Sequence, residues 1–258
     1  MRTCIWCQKN ENDKTFKTRA HTIPESLGGK NICENVCDEC NLYFGSKNQD
    51  GFSIEEVLKE TFNITRQRML DSPEIKYINN SKRKYRFKSK YFKISTKSDG
   101  STKLKLKQSF RKNRTFQSKL SRYFKRGLYK VFLEESERQF GNALAPKFDF
   151  IREYARYNLG KYPVFYFERK LGIILMFNDE AESPEMIFDR MNYLYSGNGF
   201  TEIEFLGHVF GIPIQRMWEF DFDNYIKNSI KRKTQFFKEV KQINYLIDID
   251  LTLSILND

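Results

Sequence analysis

Long apolar runs are missing from this 258-residue chain. The longest, "LGIILMF" at residues 171–177, falls far short of the ~20 residues that a bilayer-spanning helix needs. The N-terminal "MRTCIWCQKN" lacks the apolar core of a secretory signal, so the expected setting is cytoplasmic, without a membrane. Cysteines stay reduced in such a compartment, which makes close cysteine pairs metal-ligand candidates and not disulfide candidates. No internal repeat and no low-complexity linker divides the chain. With 40% hydrophobic and 16% aromatic residues, general disorder is excluded as well. The length suits one large domain or two small ones with a real core.

Acid is also scarce, and locally so. Between residues 81 and 126 there are 18 Lys/Arg and a single acid, Asp99. This stretch carries +17, which leaves −5 for the rest of a chain whose net charge is +12. Solvated surface normally mixes both signs, so such a segment points to a polyanion, nucleic acid first. An anionic membrane fits less well, because the segment holds no clean basic amphipathic helix.

The pattern along the chain predicts an α+β fold in three parts. Residues 1–52 form a Cys- and Gly-rich finger. Residues 53–126 hold a helix, a basic hairpin and the start of a second helix, and would bind nucleic acid. Residues 127–258 form a mixed α+β region whose role the sequence does not name. "SIEEVLKETFNITRQRML" reads as a helix, with a capping box at Ser53 and Glu56 and an apolar face of Ile54, Val57, Leu58 and Phe62. "KYRFKSKYFKIST" and "TKLKLKQ" alternate at period two across an Asp-Gly turn and read as a hairpin. Lys103, Lys105 and Lys107 then share one face, with Leu104 and Leu106 on the other. Together with Arg86 and Lys88 of the first strand, these lysines are the candidate phosphate contacts. Helical spacing returns with Phe116, Leu120 and Phe124, and again over residues 148–159 up to Gly160. "PVFYFERKLGIILMF" reads as two buried strands, "PEMIFDRMNYLY" as a helix, "FTEIEFLGHVFGIPI" as mostly strand, and "DNYIKNSIKRKTQFFKEVKQ" as one long helix.

Cys4, Cys7, Cys37 and Cys40 form C-x2-C-x29-C-x2-C. Each CxxC turn can place two thiolates on one tetrahedral Zn²⁺, so a structural zinc is expected. A small lobe with little apolar content also gains most from such a staple. Cys33, the fifth cysteine, reads as a small core residue.

Between the pairs lies "AHTIPESLGGKNICENVCDECN", residues 20–41: a short strand ending at Pro24, a Gly-Gly turn, a returning strand and a helix start. Through "HTIPESLGG", "NVC" and "CDECN" it resembles the HNH endonucleases, ββα-metal nucleases built on a treble-clef zinc finger. Within that family it is most similar to the branch with a four-cysteine zinc site. The resemblance covers residues 1–50. It implies a zinc-stapled ββα-metal finger ahead of a mixed α/β C-terminal region, hydrolysis of DNA phosphodiesters, and a second, catalytic ion, Mg²⁺ or Mn²⁺. It makes His21 the general base, a task suited to a side chain that ordinarily titrates near neutrality. It makes Asn41 a ligand of the catalytic ion. Asn35, fourteen residues after the histidine, would orient it, with Asn31 as the alternative. Restriction, phage defence or a mobile element is the implied setting and DNA the implied partner; self-association to a homodimer is left open. His208, in "FLGHVFG", has no such context and reads as core or surface.

One departure counts against cleavage. Many HNH proteins carry Asp or Glu directly before the histidine, as a metal ligand, and here that residue is Ala20. Glu25, Asp38 and Asp50 are unranked substitutes; waters and the scissile phosphate could also complete the shell. The rival expectation is a non-catalytic zinc finger that binds nucleic acid without cutting it.

Overall fold

The structure, a computed structural model, describes residues 1–69, 90–96, 102–169, 184, 186–188, 199–233, 235–245 and 248. It is a mixed α+β fold. The first fifty residues are mostly turns. One isolated antiparallel bridge joins Thr3 to Asn10 and another joins His21 to Ile32. Helix α1 (Asp38–Gly45) opens within the second CxxC, as its sequence predicts. Helix α2 (Ile54–Met69) follows, and Ser53 Oγ accepts the Glu56 N–H at 3.3 Å, half of the expected capping box. The Glu56 carboxylate turns to Lys90 and not back to Ser53. Ile54, Val57, Leu58 and Phe62 are buried, as the spacing requires.

Strands β1 (Phe92–Thr96) and β2 (Thr102–Leu106) pair antiparallel, from Phe92↔Leu106 to Thr96↔Thr102. Lys103 and Lys105 sit at alternate positions of β2. Lys107 does not belong to the strand: it is the N-cap of the short helix α3 (Gln108–Arg111). Arg86, Lys88 and the Asp99-Gly100 turn lie outside the described residues.

Helix α4 (Arg114–Phe140) organises the molecule. Asn113 starts it by accepting the Phe116 N–H at 2.9 Å, and Gly141, at φ 62°, ends it in the left-handed conformation. Leu120, Phe124, Leu128 and Val131 are all buried, so the apolar face runs on through residues 126 and 127. The division expected there falls inside one unbroken helix. Helix α2 crosses α4 at Gly127, where an added Cβ would sit 2.5 Å from Leu58 Cγ. Only glycine admits that approach. Helix α5 (Asp149–Ala155), entered through a 3-10 turn at Pro146–Phe148, packs on α4 and stops four residues before the expected 159.

The remaining strands are β3 (Phe165–Arg169), β4 (Met186–Phe188), β5 (Phe200–Phe205), β6 (His208–Pro213) and β7 (Phe237–Gln242). They form one antiparallel sheet in the order β4-β5-β6-β3-β7. Alternation at period two divides its residues. Tyr166, Ile203, Phe205 and Phe210 join the main core, whereas Phe165, Phe167, Phe200 and Phe237 face helix α6 (Glu219–Lys231).

Two elements differ from their predicted type. Met186–Phe188 is strand and not helix, because it pairs with β5. The single long helix expected over 223–242 is α6 followed by β7. Lys233, at φ 57°, turns the chain out of the helix, and β7 then pairs along β3. In both cases pairing supplies partners to backbone groups that a bare sheet edge would leave unpaired. The apolar run at 171–177 lies outside the described residues. No described helix is long and apolar enough to cross a membrane.

Candidate functional site

The Sγ atoms of Cys4, Cys7, Cys37 and Cys40 all lie within 4.8 Å of one another. A tetrahedral ion with ~2.3 Å bonds to sulfur needs sulfurs about 3.8 Å apart, and Cys7 and Cys37 already stand at 3.8 Å. Local turns set this up. Gln8, at φ 58°, donates its N–H to Cys4 O at 2.8 Å, closing the first CxxC, while Cys37 caps α1 and donates its N–H to Cys4 Sγ at 3.4 Å. A hydrogen bond from Cys40 holds the Cys4 thiol down to about 5, and the same contact, with burial, pushes Cys40 up. Four thiols this close cannot all ionise unless a cation shares the charge. The donor set and spacing therefore fit a metal such as zinc. Arg156, beyond α5, donates from Nε to Cys40 Sγ at 3.4 Å and brings positive charge to the cluster. Cys33 is buried in the core outside the cluster, where burial raises its thiol pKa.

The hairpin carrying His21 is minimal. Thr22 N–H donates to Asn31 O at 3.0 Å and Cys33 N–H to Ala20 O at 2.9 Å, on either side of the His21–Ile32 bridge. Gly29 permits the turn, since a Cβ there would lie 1.9 Å from Ile23 O. Alternation places the side chains of Ala20, Thr22 and Cys33 inward, all buried, and leaves His21 and Ile32 half-buried on the outer face. Ala20 is therefore a core residue, 1% exposed.

The hairpin is held from behind by residues that the sequence did not single out. Lys130 of α4, itself buried, donates from Nζ to His21 O at 2.6 Å and to Thr22 O at 3.2 Å. It also pairs with Glu134 at 3.0 Å and Glu55 at 3.3 Å. Burial opposes its charge, but the two carboxylates outweigh burial and raise its pKa. Glu134 accepts from Trp6 Nε1 at 2.9 Å, between the first two cysteines, and burial pushes its pKa up to about 7. One buried network thus connects the strand of His21, helix α2, helix α4 and the first CxxC.

Asn41 lies in the first turns of α1, and its own N–H bonds to Cys37 O, so it is inside the helix and not its cap. Its Nδ2 donates to Thr18 Oγ1 at 3.1 Å and Arg19 O at 3.5 Å. Thr18 Oγ1 in turn donates to Asp38 Oδ1 at 2.7 Å. Asp38 also accepts from Thr15 Oγ1 and from the Lys17 and Thr18 N–H groups, and these bonds hold its carboxyl down to about 2. This relay uses the nitrogen of the Asn41 amide; its Oδ1 takes no donor among the described residues.

Other expected residues have different partners. Asn35 donates from Nδ2 to Glu137 of α4 at 2.6 Å and accepts the Ile5 N–H, so it ties the finger to α4. Asn31 Nδ2 is buried without a hydrogen-bond partner among the described residues. Asp38 anchors the 15–18 loop, and Asp50 pairs with Lys119 and Tyr123. Glu25 is exposed at the start of the 3-10 turn Glu25–Leu27. Part of the cationic stretch is used inside the fold: Lys90 pairs with Glu56, and buried Arg126 donates to Tyr43 and to Ala155 O. His208 is buried in β6 beside Tyr166.

The model of a family described as HNH endonuclease matches residues 4–55, the first fifth of the chain. No curated protein and no solved structure matches the chain.

Proposed function

We propose that this chain is a metal-dependent HNH endonuclease that hydrolyses phosphodiester bonds, DNA first. The observation carrying the proposal is that one matched segment holds the four-thiol cluster, His21 on a braced hairpin, and Asn41 directly after Cys40 with its amide oxygen left open. His21 takes a proton from water as the water oxygen bonds to phosphorus and the bond from phosphorus to the leaving sugar oxygen breaks. Asn41 Oδ1 would help hold Mg²⁺ or Mn²⁺. Such an ion supplies charge stabilisation to the transition state and the leaving oxygen. Cys4, Cys7, Cys37 and Cys40 would hold zinc and so fix the backbone beside Asn41. Lys130 fixes the main chain of His21, a positioning task the family resemblance had given to Asn35. Glu25, exposed and without the bonds that engage Asp38 and Asp50, would complete the ion's shell. Lys103, Lys105, Lys107, Arg86 and Lys88 grip phosphates without reading sequence. A cytoplasmic role in restriction, phage defence or a mobile element suits such a nuclease.

Incubation of the protein with plasmid, with and without Mg²⁺ or Mn²⁺, tests this. Metal-dependent cutting is expected, falling roughly 10²–10⁴-fold in His21→Ala while zinc content and DNA binding persist. The second reading, a zinc finger that binds without cutting, is favoured by the inward-facing Ala20. Binding with no cleavage under either metal would establish it.

A further inference from the structure

A cavity of ≈ 590 Å³ opens between α4, the segment before β3, the start of α6 and the end of β7. That volume lies within the range of small-molecule sites, about 300–1,000 Å³. No residue of the 4–55 segment lines it. Arg122, Lys125 and Lys161 do, and among the described residues no carboxylate does. Arg122 is held in place, donating to Asn158 Oδ1 at 2.7 Å and to Asn158 O at 2.8 Å, with its guanidinium over the Tyr154 ring. Lys125 has neither a hydrogen-bond acceptor nor an ion pair among the described residues. Burial and then the charge of Arg122 push its pKa down to about 8, while Asp248 pulls the other way. An ammonium so placed gains from any anion that enters.

Aromatic side chains line the same cavity. Tyr162, Trp218 and Tyr245 line the cavity, and Trp218 is steadied by ring contacts to Phe165 at 5.4 Å and Phe222 at 6.0 Å. Asp248 Oδ2 accepts the N–H groups of Asn244 and Tyr245 and so holds these two lining residues. Gln242 and Asn244 also line it, with Gln242 Nε2 donating to Asn244 Oδ1 at 3.3 Å. Inorganic phosphate would leave the rings unused, and an apolar ligand would leave Lys125 unpaired. A phosphate joined to a planar base uses both.

We propose that this cavity binds a nucleotide, either free or as one unit of a single strand. Its base stacks on Trp218 and the neighbouring tyrosines, and its phosphate meets Lys125 and Lys161. The proposal does not depend on whether His21 cuts. It places a ligand where the basic segment, through Arg122 and Lys125, meets the C-terminal region, and none of the described lining belongs to β1 or β2.

The chain has two tryptophans, and Trp6 is buried in the finger, so Trp218 is an internal reporter. The full-length protein, without added divalent ion, is titrated with 5′-mononucleotides, with single-stranded oligonucleotides and with inorganic phosphate while tryptophan emission is followed. Saturable quenching by nucleotide and none by phosphate is expected. Quenching by mononucleotides supports a free ligand, and quenching by oligonucleotides alone supports a strand. Lys125→Gln and Tyr245→Ala should each weaken binding about tenfold. Trp218→Phe should remove the optical response while equilibrium dialysis still detects the nucleotide. The proposal is overturned by no saturable response to either nucleotide form, by equal quenching with phosphate, or by unchanged affinity in a folded Lys125→Gln protein.

Discussion

The first fifty residues gather around sulfur, whereas the sheet of β3–β7 gathers around aromatic rings. In the finger, regular structure amounts to isolated bridges, a 3-10 turn and the eight-residue α1, and four thiols crowd within 4.8 Å. In the sheet, Phe165, Phe167, Phe200 and Phe237 interlock with Trp218, Phe222 and Tyr225 of α6, and the five strands satisfy one another's backbones. A region with little apolar surface to bury needs a metal to offset its chain entropy, while a region rich in large rings does not. The difference also decides where chemistry can sit. A metal-stapled turn presents polar side chains such as Asn41 at fixed positions outside any core.

Removing the metal should break this contrast most strongly. Structural zinc in finger peptides contributes about 10–16 kcal/mol of apparent binding free energy, more than a small core can replace. Cys37→Ser, or chelation of the wild type, should therefore unfold the finger while β3–β7 keep their amide-exchange protection. Full protection of residues 1–50 in the zinc-free protein would erase the distinction.

A smaller effect is expected where the finger joins helices α2 and α4. Lys130→Met leaves Glu134 buried opposite an apolar chain and frees the carbonyls of His21 and Thr22. Breaking a buried pair costs roughly 3–5 kcal/mol, so urea unfolding should show a loss of that order, partly recovered by adding Glu134→Gln. A loss within the range of exposed pairs, below about 1 kcal/mol, would mean that Lys130 does not hold the finger to α4.

The smallest effect tests the hairpin, which belongs to neither region. Replacing Lys103, Lys105 and Lys107 with Gln should leave both folds intact and lower the slope of log affinity against log salt by about two to three units on DNA. An unchanged slope would remove β2 and the cap of α3 from nucleic-acid binding.

Much of the finger was legible because its information is local. CxxC spacing, a Gly-Gly turn and an asparagine after Cys40 are short-range features, and the thiol cluster and α1 follow them. Ala20 shows the limit. By sequence it is the place of a missing carboxylate; by strand alternation its side chain belongs to the core, opposite in sense to His21. The C-terminal half was less legible for the same reason in reverse. "FFKEVK" and "MIF" suit a helix as well as a strand, and only β3 and β5, distant in sequence, make them strands.

The sequence by itself determined the four-cysteine cluster, the start of α1, the approximate extent of α2, the pairing of β1 with β2, and the concentration of positive charge. Those depend on residues a few positions apart, whose geometry the chain dictates before it folds. Tertiary structure alone decided that Lys130 and Glu134, an ordinary i, i+4 pair on a long helix, lie buried against His21. It alone decided that Lys125 and Trp218, 93 positions apart, line one cavity. Burial is not a property of a residue or of its spacing; it is set by whichever distant surface arrives to exclude water, and that surface exists only once the chain has closed on itself.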